Sequence, residues 1–129
     1  MAIAADKEAA LHEFWNSFGW AARDENTVPD DAMTRYDDGY ITYNVATASF
    51  DEPVPLYANL WRHDTSWAAI TQKANEISAA IGYGGKLVPF VGGAIWICRG
   101  KPFSQRMADE DDTTRRIYIN IMAEFLSAD

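Results

Sequence analysis

The fold of this chain is decided by two runs of alternating side chains, Tyr40–Phe50 (YITYNVATASF) and Leu56–Trp61 (LYANLW). In each run hydrophobic residues alternate with small or polar ones, and β-branched and aromatic types are frequent, as in a half-buried strand. The connection Asp51–Pro55 contains two prolines and lets the second run return antiparallel to the first. The sequence therefore predicts a long β-hairpin.

An amphipathic helix is predicted on each side of this hairpin. The segment Asp6–Phe18 has Asp6 as its N-cap and places four large apolar residues on one face: Leu11, Phe14, Trp15 and Phe18. The segment Trp67–Ile81 repeats apolar residues at steps of three and four and ends at Gly82, after three N-cap candidates: Asp64, Thr65 and Ser66.

Three strand-like runs follow the second helix: Leu87–Val91, Ala94–Arg99 and Arg115–Leu126. The turn-forming residues between Trp20 and Asp38 predict a long surface loop. Two helices can cover only one face of such a sheet. We therefore expect one α+β domain over residues 1–129, with a mainly antiparallel sheet of about five strands and two helices packed on one face.

The other face of the sheet is then either solvated or covered by another subunit. Its expected residues are aromatic, amide and small hydroxyl types: Tyr40, Thr42, Asn44, Tyr57, Asn59, Trp61, Tyr118, Asn120 and Met122. A surface poor in Lys and Glu and rich in aromatic residues is typical of protein interfaces.

The composition excludes several classes of protein. The formal net charge is −8, from 19 acidic and 11 basic residues, so the average surface repels phosphate backbones and anionic lipids. No apolar run approaches the roughly 20 residues that span a bilayer, and the first residues lack the order of a signal peptide. We expect a soluble protein made in a cytosol, without a metal or other cofactor.

Catalysis by a cysteine nucleophile has little support in the sequence. Cys98 is the single cysteine, it ends the apolar run Ala94–Cys98, and this position predicts a core residue. His12 and His63 have no recognisable partner and are more simply explained as surface or cap-region residues. We therefore expect no enzyme activity.

Candidate interface residues come from one basic cluster and from two tryptophans. The cluster, between 99 and 106, predicts a hairpin tip or an interface rim and contains Arg99, Lys101, Phe103, Gln105 and Arg106. Trp15, Trp67 and Trp96 belong to helix stripes or to the apolar run, which indicates packing in the core. Trp20 and Trp61 are candidates for partner-facing anchors.

The order of motifs resembles a family of small tail-completion proteins of tailed bacteriophages, the tail terminators, also called minor tail or minor capsid proteins. The likeness covers about Leu11 to Leu126. It rests on a series of short motifs: Phe14-Trp15 with Gly19-Trp20, Thr27-Val28-Pro29, Tyr40-Ile41-Thr42-Tyr43, Leu60-Trp61 with Ser66-Trp67, Gly93-Ala94-Ile95-Trp96-Ile97, Gly100 with Pro102-Phe103-Ser104-Gln105, and Arg116-Ile117-Tyr118-Ile119-Asn120-Ile121. The sequence departs from the family at Gly39, where the family tends to have a proline.

The resemblance implies a fold of helices against a mixed or antiparallel sheet. It also implies a ring, usually of six copies, that stops polymerisation of the tail tube and joins the tail to the head or neck connector. The expected partners are other copies of the chain, the tail tube protein and the connector or neck proteins. The expected location is the virion, with the host cytoplasm during assembly.

DNA would pass through such a ring without specific binding, because a wall rich in Asp and Glu repels phosphate. The acidic residues expected to line this lumen or to contact adjacent tail proteins lie in two loops: Asp30, Asp31, Asp109, Glu110, Asp111 and Asp112. Two alternatives remain open. One is a neck or head-completion protein of similar size and acidity, and the other, from a different class, is a small enzyme or ligand-binding domain that uses Cys98 with a histidine.

Overall fold

The structure is a computed structural model that describes residues 4–26, 39–45, 53–107 and 113–127. These residues form two helices and six strands, in the order α1 Lys7–Asn16, β1 Ala21–Asp24, β2 Tyr40–Tyr43, β3 Val54–His63, α2 Ala68–Ile81, β4 Lys86–Phe90, β5 Gly93–Met107 and β6 Thr114–Ser127.

The six strands form one sheet in the order β1-β2-β3-β6-β5-β4. The first pair, β1 with β2, is parallel, and every other neighbouring pair is antiparallel. The sheet is curled into a half-barrel and contains far more residues than the two helices. The expected fold class, a mainly antiparallel sheet of about five strands, was therefore wrong: the sheet is mixed, has six strands and dominates the fold.

The strand that the sequence did not predict is β1, which lies inside the segment predicted to be a loop. It is only four residues long, Ala21–Asp24, and too short to show an alternating pattern. Backbone pairing with β2 holds it in the sheet, and the pairing ends where the Glu25 N–H donates to the Tyr43 carbonyl at 2.9 Å. The rest of the predicted loop, residues 27–38, lies outside the described residues, as do residues 46–52 of the predicted hairpin.

Both predicted helices are confirmed, with shorter bounds. The Asp6 carboxylate accepts a hydrogen bond from the Ala9 N–H at 2.9 Å, so Asp6 is the N-cap of α1 as expected. At the start of α2, the Ser66 hydroxyl accepts from the Ala68 N–H at 3.1 Å, although Trp67 occupies the cap position. Gly82 ends α2 with a φ of 75°.

The core lies between the helices and one face of the sheet, called here the inner face. Residues directly opposite each other on neighbouring strands share a face, and the inner-face rows include Ile41, Leu60 and Ile117. The buried residues of both helices, such as Trp15 and Ile77, belong to the same hydrophobic cluster. Both helices therefore cover the inner face and leave the opposite face to other contacts.

Strand β5 continues beyond the predicted end at Arg99. The pairing with β6 shifts register between Arg99 and Ser104 and then continues to Met107. Gly100 lies at this irregularity, where a β-carbon would be 2.7 Å from the Asn120 β-carbon. The segment from Lys101 to Met107 is thus part of a strand and not of the loop that the Gly-Lys-Pro sequence predicted. Neither described helix is both long enough and apolar enough to cross a membrane.

Candidate interaction surface

The sheet face opposite the helices is called here the outer face. Its register confirms the side predicted from the sequence, because Tyr40 lies opposite Trp61, Thr42 opposite Asn59, and Tyr57 opposite Asn120. Strands β5 and β6 extend this face toward β4 through the opposed pairs Cys98 with Met122, Trp96 with Glu124, and Leu87 with Trp96. The outer face therefore runs across the sheet without a described helix over it.

Trp61 is packed within its own chain on this face. Its ring stacks on Tyr40 at 6.0 Å between centroids and 9° between planes, and the Arg116 guanidinium lies 5.2 Å from the ring centre. Its indole N–H donates to the Thr42 hydroxyl at 3.0 Å. The side chain is half-buried, so these contacts hold Trp61 in one orientation, and its role as a partner-facing anchor stays a prediction.

A second aromatic pair lies further along the same face. Tyr57 and Tyr118 stack with centroids 5.5 Å apart, and the Tyr57 hydroxyl donates to both carboxylate oxygens of Glu25, at 2.8 and 2.9 Å. This hydrogen bond to Glu25 is the main cause that raises the pKa of Tyr57 above its usual value, with burial adding in the same direction. Glu25 thereby connects the end of β1 to β3.

Two polar atoms on the outer face are buried without a hydrogen-bond partner among the described residues: Asn59 Oδ1 and Arg116 Nε. Arg116 lies opposite Trp61 and Asn59 opposite Tyr118, so both atoms belong to neighbouring rows in the middle of the face. Buried polar groups are normally paired. Neither atom is accessible to a partner in this conformation, because each has almost no exposed surface.

The large hydrophobic residues that are exposed in the described part of the chain lie along β4, from the loop before it to the turn after it, and on the neighbouring ends of β5 and β6, a region called here the apolar corner. This apolar corner consists of Tyr83, Leu87, Val91, Trp96 and Leu126. Leu87 and Trp96 are a directly opposed pair on the outer face, and Leu126 follows two residues after the partner of Trp96. Large exposed apolar patches are uncommon on monomeric proteins and mark interaction sites.

The apolar corner was not predicted from the sequence, and its tryptophan was misassigned. Trp96 was expected in the core because it lies in an apolar run, yet it is 37% exposed while Ile95 and Ile97 on either side are fully buried. Cys98, also expected in the core, is half-buried and lies on the outer face. The alternation of side chains along a strand separates these residues, because it places residues 96 and 98 on one face of the sheet and residues 95 and 97 on the other.

A cavity of about 360 Å³ opens on the outer face beside this corner. It is lined by Pro53, Trp96, Cys98, Met122, Ala123 and Glu124, so its wall is mostly apolar and carries one carboxylate. Such a lining suits a hydrophobic group that also has one hydrogen-bond donor.

The three cations of the predicted basic cluster are separated in the structure. Arg99 donates from Nε and Nη2 to the Ser78 carbonyl, at 3.1 and 2.8 Å, near the C-terminal end of α2. The Arg106 guanidinium lies 4.8 Å from the ring centre of Trp67, at the other end of the same helix. Lys101 is exposed at the register shift of β5. Arg99 and Arg106 thus contact the two ends of α2.

The remaining interface candidates have mixed environments. Trp20 and Phe103 are half-buried and pack against the core, and the Trp20 ring has the Lys73 ammonium 5.4 Å from its centre. Gln105 is exposed and lies opposite Tyr118 on the outer face. The structure therefore does not bring these residues together into one patch, and their role in an interface stays a prediction.

Cys98 and the histidines do not form a cluster. His12 lies on α1, and its Nδ1 is 3.0 Å from the hydroxyl of Tyr43, an inner-face residue, whereas Cys98 lies on the outer face. His63 lies eight residues after Pro55 on β3. Pro55 is opposite Met122 of β6, and Met122 is opposite Cys98 of β5. At about 3.3 Å per residue this is a separation of roughly 26 Å, too long for a Cys and His pair.

The acidic residues expected in the lumen fall outside the described residues: Asp30, Asp31, Asp109, Glu110, Asp111 and Asp112. Within the described ranges, no three His, Cys, Asp or Glu side chains meet in a way that could hold a metal ion. Comparison of the chain with protein-family models, curated proteins and solved structures gave no match.

Proposed function

We propose that this chain is a virion structural protein, a tail terminator whose copies form a ring that caps the tail tube and joins the tail to the head or neck connector. The ring usually has six copies in the family that the sequence resembles. The observation that carries the proposal is the outer face of the sheet, which no described helix covers and which carries two stacked aromatic pairs.

The chemistry of the outer face suits protein contacts better than small-molecule chemistry. Its middle contains stacked aromatic residues and amides, and its corner exposes Leu87 and Trp96 as an opposed pair. Aromatic residues are enriched in the centres of interfaces and supply much of the binding energy there. Tyr40 and Thr42 on this face are buried within the chain, whereas Leu87 is 51% exposed, and large exposed apolar residues mark contact sites.

The motifs that carry the family resemblance are neighbours in the sheet. The Tyr40–Tyr43 motif forms β2 and pairs with the Leu60-Trp61 motif of β3, which pairs in turn with the closing Arg116–Ile121 motif of β6. Motifs that are distant in sequence thus build one surface. The three motifs thus lie on neighbouring strands of one sheet, which is consistent with the fold that the resemblance implies.

The two edges of the sheet also suit a ring. A closed ring needs a contact between two different surfaces of the same chain. Strand β1 forms one edge, and the other edge includes β4 together with the later part of β5, because β4 pairs only with Gly93–Ile97. The edges therefore present different residues, Ala21–Asp24 on one side and Ser104–Met107 on the other.

The charge of the chain is consistent with a DNA passage. A net charge of −8 disfavours adhesion of a phosphate backbone. In this proposal the acidic segments around residues 30 and 110 line the passage or contact adjacent tail or neck proteins.

The test is the assembly state of the purified chain, alone and mixed with uncapped tail tubes. We expect rings in electron micrographs under at least the second condition, and a mass well above that of two chains by light scattering. The variant Gln105→Asp, on the exposed later part of β5, should weaken ring formation, whereas Gln72→Asp, on the exposed side of α2, should not. A single-chain mass with no binding to tube ends would contradict the proposal.

A further inference from the structure

Tyr83 is the most exposed large hydrophobic residue of the described chain, at 104% of its reference area. It lies between α2 and β4 in the loop Gly82-Tyr83-Gly84-Gly85, and two of its neighbours, Gly82 and Gly85, have positive φ values of 75° and 93°. At this position the Tyr83 side chain projects into solvent as an aromatic ring with a hydroxyl at its tip. Tyrosine in such a position is a typical anchor for protein contacts.

The cavity beside the apolar corner has the chemistry to receive such a group. Trp96 and Met122 provide apolar and aromatic contact for a ring, and Glu124 provides an acceptor for a hydroxyl. The volume of about 360 Å³ leaves room for an aromatic side chain. Tyr83 does not fill the cavity of its own chain, because its side chain is fully exposed.

Tyr83 and the cavity lie on the same side of the molecule. A β-carbon at Gly85, two residues after Tyr83, would be 2.9 Å from Cys98 Sγ and 3.1 Å from Trp96 Cε2, so Gly85 borders the cavity wall. When a projecting group and its receptor are close together, two copies related by a two-fold axis can exchange them reciprocally. A head-to-tail ring contact would instead need them on different sides.

We infer that two copies of this chain dock through their apolar corners, with Tyr83 of each copy inserted into the cavity of the other and its hydroxyl donating to Glu124. This contact buries the exposed Leu87 and Trp96 pair together with the two tyrosines. It goes beyond the proposed function and does not depend on it, since the contact joins copies in pairs and is distinct from the head-to-tail contact of a ring.

Cys98 reports directly on this contact, because it is the single cysteine of the chain and lines the cavity. The experiment measures the rate of Cys98 labelling by a maleimide over a range of protein concentrations, with the mass followed by sedimentation. We expect a two-chain mass and slower labelling as the concentration rises. Tyr83→Ala should remain a single chain, label rapidly throughout and raise the dissociation constant at least about tenfold.

Two further variants separate anchoring from general packing. Tyr83→Phe keeps the ring and removes the hydroxyl, so it should weaken the pair less than Tyr83→Ala does, and Glu124→Gln should change the affinity of the wild type more than that of Tyr83→Phe. Gln72→Ala, on the exposed side of α2, is the matched control and should pair normally. Circular dichroism checks that each variant is folded.

The inference is overturned if labelling of Cys98 is independent of concentration, or if Tyr83→Ala pairs as tightly as the wild type. Rings in which Cys98 remains fully reactive would overturn this contact and leave the terminator proposal standing. Pairs that protect Cys98, from a chain that never forms rings or binds tube ends, would support the contact and contradict the terminator proposal.

Discussion

The indole ring of Trp20 lies directly against the α-carbon of Gly39. A β-carbon added to Gly39 would be 2.6 Å from two atoms of that ring, and Gly39 also has a φ of 127°, where only glycine is comfortable. This contact explains why glycine occupies a position where the resembled family tends to have proline. Proline fixes φ near −65° and cannot adopt this conformation.

We therefore expect Gly39→Ala to lower the free energy of unfolding by about 1 to 3 kcal/mol, through backbone strain and displacement of Trp20. Gly39→Pro should destabilise the protein at least as much. The matched control is Gly84→Ala, because nothing lies within 4 Å of a β-carbon there and its φ is not in the glycine region. Urea unfolding measures all three, and equal stability of the two alanine variants would contradict the Trp20 contact.

Loss of the Arg99 guanidinium should lower the stability of the fold, whereas loss of the Lys101 ammonium in the same basic cluster should not. Arg99 donates two hydrogen bonds to the Ser78 carbonyl, and hydrogen bonds from a charged group contribute about 1.5 to 3 kcal/mol. Arg99→Met should lower the unfolding free energy by about that amount, whereas Lys101→Met, at an exposed position, should change it by less than about 0.5 kcal/mol. Similar losses in both variants would show that the contact with α2 is unimportant.

Alkaline pH should reveal the bond between Tyr57 and Glu25. The raised pKa means that the folded state favours the neutral phenol, so this contribution is fully present below the ordinary value of 10.0 and is lost as the pH rises through the folded pKa. Glu25→Gln should move the pKa of Tyr57 back toward the ordinary value, because the carboxylate is the first cause of the shift. The pKa of Tyr43 is raised mainly by burial and should move much less.

NMR of tyrosine labelled at the ring carbon next to the hydroxyl follows these titrations residue by residue. A Tyr57 pKa that is unchanged in Glu25→Gln would be evidence against the hydrogen bond as the cause.

Leu87 and Val88, which are neighbours on β4, should respond differently to replacement by serine. Val88 is buried on the inner face and Leu87 is 51% exposed on the outer face. Val88→Ser should lower the unfolding free energy by about 2 to 4 kcal/mol, by leaving a cavity and burying a hydroxyl. Leu87→Ser should change stability by less than about 0.5 kcal/mol while weakening assembly, and thermal unfolding with light scattering measures both effects.

The sequence predicted those parts of the fold where periodicity runs for several turns or several strand pairs. The stripe from Leu11 to Phe18 and the repeat from Ile70 to Ile81 fixed the helices, since their buried residues recur at helical spacing. The alternation in β2 and β3 identified the outer face, because opposed residues such as Tyr40 and Trp61 share a side.

The remaining features of the fold could not be predicted from local sequence patterns. Strand β1 has four residues and exists through its pairing with β2, a contact between segments separated in sequence. The apparent turn at Gly100 and Pro102 became a register shift inside β5, because β6 offers a pairing partner on both sides of it. The strand period separates Trp96 from Ile95 and Ile97, but which of the two sides is exposed depends on which face the helices cover, and the alternation does not encode that choice.

The most direct test of the assembly role is electron microscopy of particles produced by a tailed phage genome that lacks the gene for this chain. For a tail terminator we expect overlong tails, or tails that are not attached to heads, and rescue by the wild-type chain but not by Gln105→Asp. Tails of normal length beside unstable DNA-filled heads would contradict the terminator assignment and favour a neck or head-completion protein.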